Sequence, residues 1–559
     1  LKSYKYSDKG SLGEDGNGKF DYATAIKYTD NASKHIFGLP VDVTVTGGDG
    51  SLYHHVTAKY NTNYANHITQ ITQQLNDGEA VTDYKYDSYG NITQKTLPAN
   101  SKGQRMWYKY RYEPEMNMYV ERIDDAWGYR SEQGNFDYRY GIAKEHRDLN
   151  NFYYETDVDD LGRITGVRGP NELATGVPYA IAFEYQPLAT FNESGITAPA
   201  YAVTKHYDIQ HPNDDLETVT FVDGFGRAVQ VKKDGVVTSA AKGNSAKDEN
   251  VMIVSGRNVY DAFGRVAKAF YPTTEGTGSK STFNKSFDNV SPTVTVYDVL
   301  DRATSVTLPD NSTTTTEYTV DNGSHALVTT VTDALHNVQA THTNGSGKTL
   351  KTIQKSGPDG DITTSFEYDG IQRLVRVTDT EGNVTTSTYD MGDRRTEVNH
   401  PASGITSFTY DALGNVLTKQ TANLAKEGKF ITYDYDYQRL TGINYPDHPE
   451  NNVKYYYGGR NASQNRIGRL MLREDGTGAI EYFYGKMGEV TKTRRTMIVP
   501  NQAIATYVTQ WTYDSHNRLL EMIYPDEEKI TYSYNLGGQL EKVHGYKSYG
   551  YDYVSKIGY

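Results

Sequence analysis

The chain has 559 residues, 57 basic and 70 acidic side chains, a formal net charge of -13 and no cysteine. That balance disfavours a dedicated nucleic-acid binder, which would carry a basic stripe, and the missing cysteines exclude disulfide and thiolate chemistry. Only 36% of residues are apolar and mean hydropathy is -0.70, against about 45–50% apolar in ordinary globular domains, so a broad sheet with wet faces suits the composition better than a solid core.

The first region, 1–230, is irregular. A turn signature appears as Tyr86-Asp87 followed by Gly90-Asn91-Ile92. Aromatic strands such as Trp107-Tyr108-Lys109-Tyr110-Arg111-Tyr112 surround it, and a long loop is predicted at about 170–200. Degenerate copies follow at Val158-Asp159 with Gly162-Arg163, and at Val222-Asp223 with Gly226-Arg227. The second region, 231–290, holds the fullest copy, Tyr260-Asp261-Ala262-Phe263-Gly264-Arg265-Val266. Its stretches 236–250 and 273–290 are rich in Ser, Lys, Gly, Asn and Thr and read as surface loops. The third region, 291–559, is a denser array. Signatures start at Tyr297, Tyr368-Asp369, Tyr389, Tyr410-Asp411 with Gly414, and Tyr513-Asp514. The arginine position is filled by Arg302, Arg373, Arg394 and Arg518, and weaker copies sit at Tyr484 with Gly488 and Tyr534 with Gly538.

Copies beginning at 368, 389 and 410, and at 513 and 534, are 21 residues apart. A short fixed period indicates an array rather than an ordinary enzyme core. Within a unit, Ile362, Thr364, Phe366 and Tyr368 share one parity, and Val375 and Val377 resume the alternation after the turn. Period-2 patterning rich in Val, Ile, Thr, Tyr and Phe reads as strand. Asp-x-x-Gly reads as a turn, because aspartate bonds backbone amides two residues on and glycine accepts positive φ. Leu308-Pro309-Asp310, Tyr445-Pro446-Asp447 and Tyr524-Pro525-Asp526 close units in the same way. One repeat is therefore two strands and two turns, and isolated hairpins are marginal, so repeats must stack edge to edge. The length allows roughly 27 repeats and about 54 strands, a ribbon of roughly 260 Å at about 4.8 Å per strand. Such a ribbon must coil, close or break. Tyr433-Asp434-Tyr435-Asp436-Tyr437 is one residue off the standard spacing, which predicts a bulge or altered turn there. Both termini read as cuts inside a longer array.

Other motifs are weaker. Gly345-Ser346-Gly347-Lys348-Thr349 lacks the earlier glycine of a phosphate loop, since His342 occupies that position, and a strand pattern follows it. Asp157-Val158-Asp159-Asp160-Leu161-Gly162 departs from a calcium loop at Leu161 and at Arg168. His54 and His55 are neighbours on a strand and face opposite sides, which does not suit a shared metal. Tyr455-Tyr456-Tyr457 reads as cross-strand packing before sugar stacking. No catalytic, cofactor-binding or metal-binding residue is assigned, and no membrane span is found. The residues that carry the repeat are Tyr86, Asp87, Gly90, Tyr260, Asp261, Gly264, Arg265, Tyr368, Asp369, Tyr410, Asp411, Gly414, Tyr513 and Asp514.

These signatures resemble the Rhs, or YD-repeat, family, which includes Rhs polymorphic toxins, the B and C components of insecticidal toxin complexes, and teneurins. Asp223-Gly224-Phe225-Gly226-Arg227 and Val254-Ser255-Gly256-Arg257-Asn258-Val259-Tyr260 are most similar to a toxin-complex B component. The resemblance implies an all-β fold whose YD-repeat hairpins form a continuous antiparallel ribbon spiralling into a hollow shell. It implies a structural, non-enzymatic role enclosing a C-terminal toxin cargo. Implied partners are that cargo, the remainder of the same shell, and other toxin-complex or secretion components. A secreted or cell-surface bacterial location follows. The alternative is an extracellular adhesion or carbohydrate-binding module. The family's aspartyl self-cleavage region contains an Asp-Pro motif, and no Asp-Pro dipeptide occurs here.

Overall fold

The computed structural model describes residues 2–6, 21–61, 66–192, 195–239, 247–286, 290–357 and 360–559. Among them are 46 strands, two short α-helices (Pro170–Thr175 and Ala422–Lys426) and three single-turn 3-10 helices. The 46 strands fall below the estimated 54 because irregular connectors between units, including both α-helices, consume chain. The strands belong to antiparallel sheets of 19 and 25 strands and one two-stranded hairpin. Each strand pairs with the next in sequence almost throughout, as in Ile362–Tyr368, Leu374–Thr378, Val384–Tyr389 and Arg395–His400. The fold is the all-β ladder of hairpins that the period-2 pattern predicts.

The pairing carries a regular irregularity. Register shifts fall at the signature tyrosine itself, between Lys85 and Tyr86, Val259 and Tyr260, Glu367 and Tyr368, Thr409 and Tyr410, and Thr512 and Tyr513. Tyr368 opposes Leu374 while Glu367 opposes Arg376, so one residue of the second strand is left over. This is a β-bulge, which bends the strand and re-aims nearby side chains. The segment 433–440 has its own shift between Asp434 and Tyr435, but its distinguishing feature is a tighter turn in which Asp436 opposes Arg439. The stretch read as a loop at 236–250 is instead largely strand. Ala228–Ser239 and Lys247–Ser255 pair with each other, and residues 240–246 lie outside the described set. Val236, Val237, Val251 and Val254 supply the β-branched positions that the polar composition obscured.

Two compact units can be distinguished, each assembled from separate stretches of chain. The first comprises Leu1–Arg130, Thr314–Tyr456 and Arg473–Thr477. Inside it, Asn100 Nδ2 donates to the Tyr437 carbonyl at 3.1 Å, and Trp127 Nε1 donates to Asp436 at 2.8 Å. The Arg439 guanidinium lies 3.6 Å from the centre of the Trp127 ring. The second comprises Ser131–Thr313, Tyr457–Leu472 and Gly478–Tyr559. Inside it, Gln210 bonds the Tyr532 carbonyl and the Tyr534 amide at 2.9 and 2.8 Å. In each unit such contacts join turns from stretches more than 300 residues apart in sequence.

Fully buried side chains are few and as often polar as apolar. Val219 and Phe221 anchor an apolar cluster with Ala198 and Val203 in the second unit. Lys232 and Arg257 are equally inaccessible. Lys232 Nζ bonds Glu275 at 2.5 Å and the Ser279 carbonyl at 2.8 Å, while Arg257 reaches the carbonyls of Ser286 and Tyr271. Buried charge persists only where paired and hydrogen-bonded, and these pairs strap 271–286 onto the strands beneath.

Candidate functional site

The recurring turn is the chemically organised element of this chain. In the fullest copy, Asp261 Oδ1 accepts from the amides of Phe263 and Arg265 at 2.9 and 3.0 Å. Its Oδ2 accepts from Arg265 Nε at 2.7 Å. Gly264, at φ 81°, turns the chain so that its amide meets the Asp261 carbonyl at 3.0 Å. The carboxylate thus accepts from two backbone amides and one side-chain nitrogen of its own turn. The Arg265 side chain and backbone bonds hold the Asp261 carboxyl below the usual carboxylate range.

Arg265 also faces forward. Its Nη1 donates to the Asp298 carbonyl of the next signature at 2.9 Å, and its guanidinium sits 4.8 Å from the Tyr297 ring centre. Tyr297 in turn donates its hydroxyl backward to the Val266 carbonyl at 3.0 Å. The same closed circuit recurs. Arg227 covers Tyr260, whose hydroxyl bonds Ala228. Arg373 covers Tyr389, bonded to Leu374, and Arg394 covers Tyr410, bonded to Arg395. Arg518 covers Tyr534, bonded to Leu519. The bulge at each tyrosine is what turns its ring toward the previous turn.

The remaining assigned residues occupy the same places. Tyr86 donates to the Ile68 carbonyl at 2.8 Å and stacks on His67. Asp87 accepts from the amides of Tyr89 and Asn91, with Gly90 at φ 93°. Tyr368 donates to the Thr349 carbonyl, and Asp369 accepts from Ile371, Arg373 Nε and the Arg373 amide. Asp411 accepts from the Asn415 amide and side chain and from the Ser101 amide, with Gly414 at φ 99°. Tyr513 ends its strand, and Asp514 accepts from the His516 and Arg518 amides. In Asn91 and Asn415 the shorter amide keeps the aspartate contact and a carbonyl of the adjoining turn, but offers no cation to a ring.

Several copies escaped the sequence reading because both the tyrosine and the arginine are absent. Asp333 with His336 and Asn337, Asp379 with Gly382 and Asn383, and Asn344 with Gly347 and Lys348 form the same turn. The readable signal was Asp or Asn followed three residues later by Gly or another residue tolerant of positive φ. The broken phosphate loop is this asparagine turn, joining Val338–Thr343 to Thr349–Gln354. The calcium-like stretch is the Asp159 turn, closed by Arg163, while Asp157 pairs with Arg168 at 2.8 Å. His54 bonds Asp393 and His55 bonds Gln74. Among the described residues no group of three or more potential ligands could hold a metal ion, and no helix is long and apolar enough to cross a membrane.

The most buried joint lies in the second unit. Arg518 bonds Asp514 at 2.6 Å and Asp208 at 2.7 Å, and Asp208 is fully buried. Burial pushes the Asp208 carboxyl up, but its bonds from Arg518 and His211 outweigh this and hold it low. Beside it the rings of His206 and His516 lie 4.0 Å apart. Burial, then the neighbouring His516, lowers His206 to about 4. A cavity of about 800 Å³ adjoins this joint, lined by Trp511, Tyr513, Phe483, Lys492 and Glu172. Glu172 caps Gly169 at the helix start and bonds Ser515.

Residues 368–405 match the RHS Repeat family model. None of the curated proteins matches the chain. Solved structures do. The crystal structure of TcdB2-TccC3-Cdc42 is similar at TM-score 0.77 and 13% identity, covering 96% of this chain and 36% of that one. The crystal structure of TcdB2-TccC3 is similar at TM-score 0.77 and 14% identity, over 96% and 34%. The Photorhabdus luminescens Tc holotoxin pore gives TM-score 0.77 and 13% identity, over 96% and 35%. The chain therefore spans about a third of the length of the chains it matches. It carries the Rhs, or YD, repeat and has the fold found in these toxin-complex proteins.

Proposed function

We propose that this chain is a wall segment of a toxin-complex-like shell, a structural element that encloses a toxin polypeptide rather than an enzyme. The observation that carries the reading is the interlocked turn, because it spends its charged and aromatic residues on holding strands in register. Likeness over 96% of the chain to structures containing TcdB2 and TccC3 supports the same reading. So does the way each unit joins stretches more than 300 residues apart, as a ribbon returning on itself would. The signature tyrosine, aspartate, glycine and arginine residues, from Tyr86 to Asp514, are structural. The three-part division at 230 and 290 marks changes in repeat regularity along one array. Partners are the enclosed cargo and other shell or secretion components, and the location is secreted or at a bacterial surface.

The test is protease protection. The open reading frame that contains this chain is expressed whole, purified, and digested with a nonspecific protease before and after unfolding. A shell shields an internal polypeptide until the repeats unfold, and electron microscopy shows density for it inside. An adhesion module shows neither enclosed chain nor shielding and instead captures a cell surface. Glycan or peptide turnover surviving repurification would establish an enzyme.

A further inference from the structure

Arg265 and Arg373 are each held by three groups: the carboxylate of their own turn, the carbonyl of the next signature aspartate, and the ring of the next signature tyrosine. One turn of the second unit, at 485–489, forms the same backbone bonds without an arginine. Gly485 donates to the Glu489 carbonyl at 2.8 Å, and Gly488 donates to the Gly485 carbonyl at 3.2 Å. Glycine stands at the aspartate position and glutamate at the arginine position, and the next signature is Tyr513-Asp514.

Glu489 supplies the aspartate's carboxylate from the far end of the turn. Its Oε2 accepts from the Met487 amide at 3.0 Å, the bond that Asp261 makes with Phe263. A Cβ on Gly485 would collide with this carboxylate, so it fills the space of an aspartate side chain. The guanidinium has no such substitute. Among the described residues, Glu489 Oε1 has no hydrogen-bonding partner and no cation lies over the Tyr513 ring. Nor does the Tyr513 hydroxyl make the carbonyl bond that Tyr297, Tyr389 and Tyr534 make. Burial, then the Glu489 charge, pushes that hydroxyl up. The Asp514 carbonyl accepts the Asn517 amide at 3.0 Å, and its second lone pair is open. Neighbouring cations are engaged elsewhere. Arg469 bonds the Asn465 carbonyl at 2.7 Å and covers Tyr484 at 5.4 Å, while Lys492 Nζ lies 4.1 Å from the Phe483 ring centre.

Glu489, Tyr513 and Asp514 all line the cavity of about 800 Å³ beside the Asp208 joint. That volume lies within the range of about 300–1,000 Å³ typical of small-molecule sites. Trp511 and Tyr207 add ring surface on which the apolar stem of a long side chain can lie. The open carboxylate oxygen disfavours an anion. A planar guanidinium meets two acceptors and a ring face at once, whereas an ammonium has neither the fork nor the face. We propose that Glu489, the Asp514 carbonyl and the Tyr513 ring form a receptor for a guanidinium supplied by another molecule, either a polypeptide arginine or a small alkylguanidine. The bound group completes the circuit that glutamate at 489 leaves open. The site does not depend on the shell reading, since the turn geometry alone defines it.

The probes are acetyl-Gly-Arg-Gly-amide and butylguanidinium, each paired with its amine counterpart, acetyl-Gly-Lys-Gly-amide and butylammonium. They are titrated into the intact chain by calorimetry and saturation-transfer NMR. At least one guanidinium probe is expected to bind with Kd of about 1 mM or tighter, and its amine counterpart about tenfold more weakly. Glu489→Gln and Tyr513→Leu should each weaken that probe about tenfold. Gly485 is not at positive φ and accepts aspartate, so Gly485→Asp with Glu489→Arg rebuilds the signature within the chain. This double variant should abolish probe binding and raise hydrogen-exchange protection at 513–518. Thermal melts establish that each variant is folded, and the double variant keeps the test decisive if Glu489→Gln is not. Tighter binding of the peptide identifies a polypeptide arginine as the ligand, and equal or tighter binding of butylguanidinium identifies a small guanidine; either supports the site. Failure of both guanidinium probes to bind at about 10 mM overturns it, as does binding that the double variant leaves intact. Equal affinity for the amine counterpart overturns the ligand class.

Discussion

Two arginines make the same turn, and replacing each with methionine should have very different consequences. Arg163 pairs with Asp159 at 2.6 Å and covers Tyr185 at 4.5 Å, with 34% of its side chain exposed. Arg518 pairs with Asp514 and covers Tyr534, but only 12% is exposed and it also holds the fully buried Asp208. Removing Arg163 forfeits an exposed ion pair of about 0.2–1 kcal/mol and a ring contact of about 0.5–1 kcal/mol, so a loss of roughly 1–2 kcal/mol is expected. Removing Arg518 strands two buried carboxylates, and breaking a buried pair costs about 3–5 kcal/mol. Adding Asp208→Asn to Arg518→Met should recover part of that loss, since one uncompensated charge is gone. An array of this length need not unfold in one step, so a single global stability is the wrong readout. Hydrogen exchange over 208–211 and 514–534, compared with 159–163 and 181–186, reports each joint locally. Equal losses of protection for the two methionine variants, or no recovery in the double variant, would refute the reasoning.

Three further outcomes follow from the same geometry. Gly264→Val places a β-branched residue at φ 81°, with its Cβ 2.9 Å from Arg227 Nη1, so protection of the Tyr260–Val266 turn should fall, and a variant that exchanges like the parent would show the turn to be misassigned. Tyr410→Phe removes only the hydroxyl bond to the Arg395 carbonyl, a loss of about 0.5–1.5 kcal/mol, whereas Tyr410→Ala also uncovers Arg394 and should cost more; urea titration monitored by exchange at 395–416 separates them. The third concerns pH in the second unit. His206 titrates at about 4 when folded, below its unfolded value of about 6.5, so it binds more protons unfolded and its stability contribution is lost as pH falls from about 6.5 to 4. Asp234 is raised to about 6 by burial, so it binds more protons folded and gains stability as pH falls from about 6 to 4. Each is worth roughly 1–2 kcal/mol after allowing for solvent screening, and they oppose one another. His206→Gln should therefore become more stable at pH 5 relative to pH 7.5, and Asp234→Asn less stable, in exchange measurements at the two pH values. Identical pH dependence in both variants contradicts the assignment. The groups facing His206 are His516 and Asp215, with Asp208 and Arg518 acting on His516.

The fold class was legible because alternation and turn chemistry are local. Tyr368 and Leu374 announce the ends of a hairpin from six residues of text, and the structure pairs them. The bulge was not legible, because the pattern only says that a tyrosine precedes Asp. It does not say that the residue after the arginine is followed by one that drops out of register. The forward reach of Arg265 to Tyr297 was likewise hidden, since the intervening chain between those signatures is 31 residues and the contact depends on which strands lie side by side. Contacts such as Asp208 with Arg518, 310 residues apart, have no local signal at all. The loop at 236–250 was misread because composition there is polar while the paired valines are sparse.

The circuit explains how an array with so little apolar substance can stay in register. Arginine is required rather than lysine because one planar guanidinium bonds its own aspartate at the edge, donates to the next turn's carbonyl, and offers its face to the next tyrosine. An ammonium has no face and no fixed fork. Tyrosine is required rather than phenylalanine because its hydroxyl closes the loop on the preceding carbonyl. Where arginine and tyrosine fill their positions, a turn is therefore held by its predecessor and holds its successor, and the register is reset there instead of being inherited along the ribbon. A displacement in one hairpin ends at the next bulge. Because these bonds lie at the turns, the register does not depend on the strand faces between them, which are only half-buried in strands such as Val384–Tyr389 and Arg395–His400.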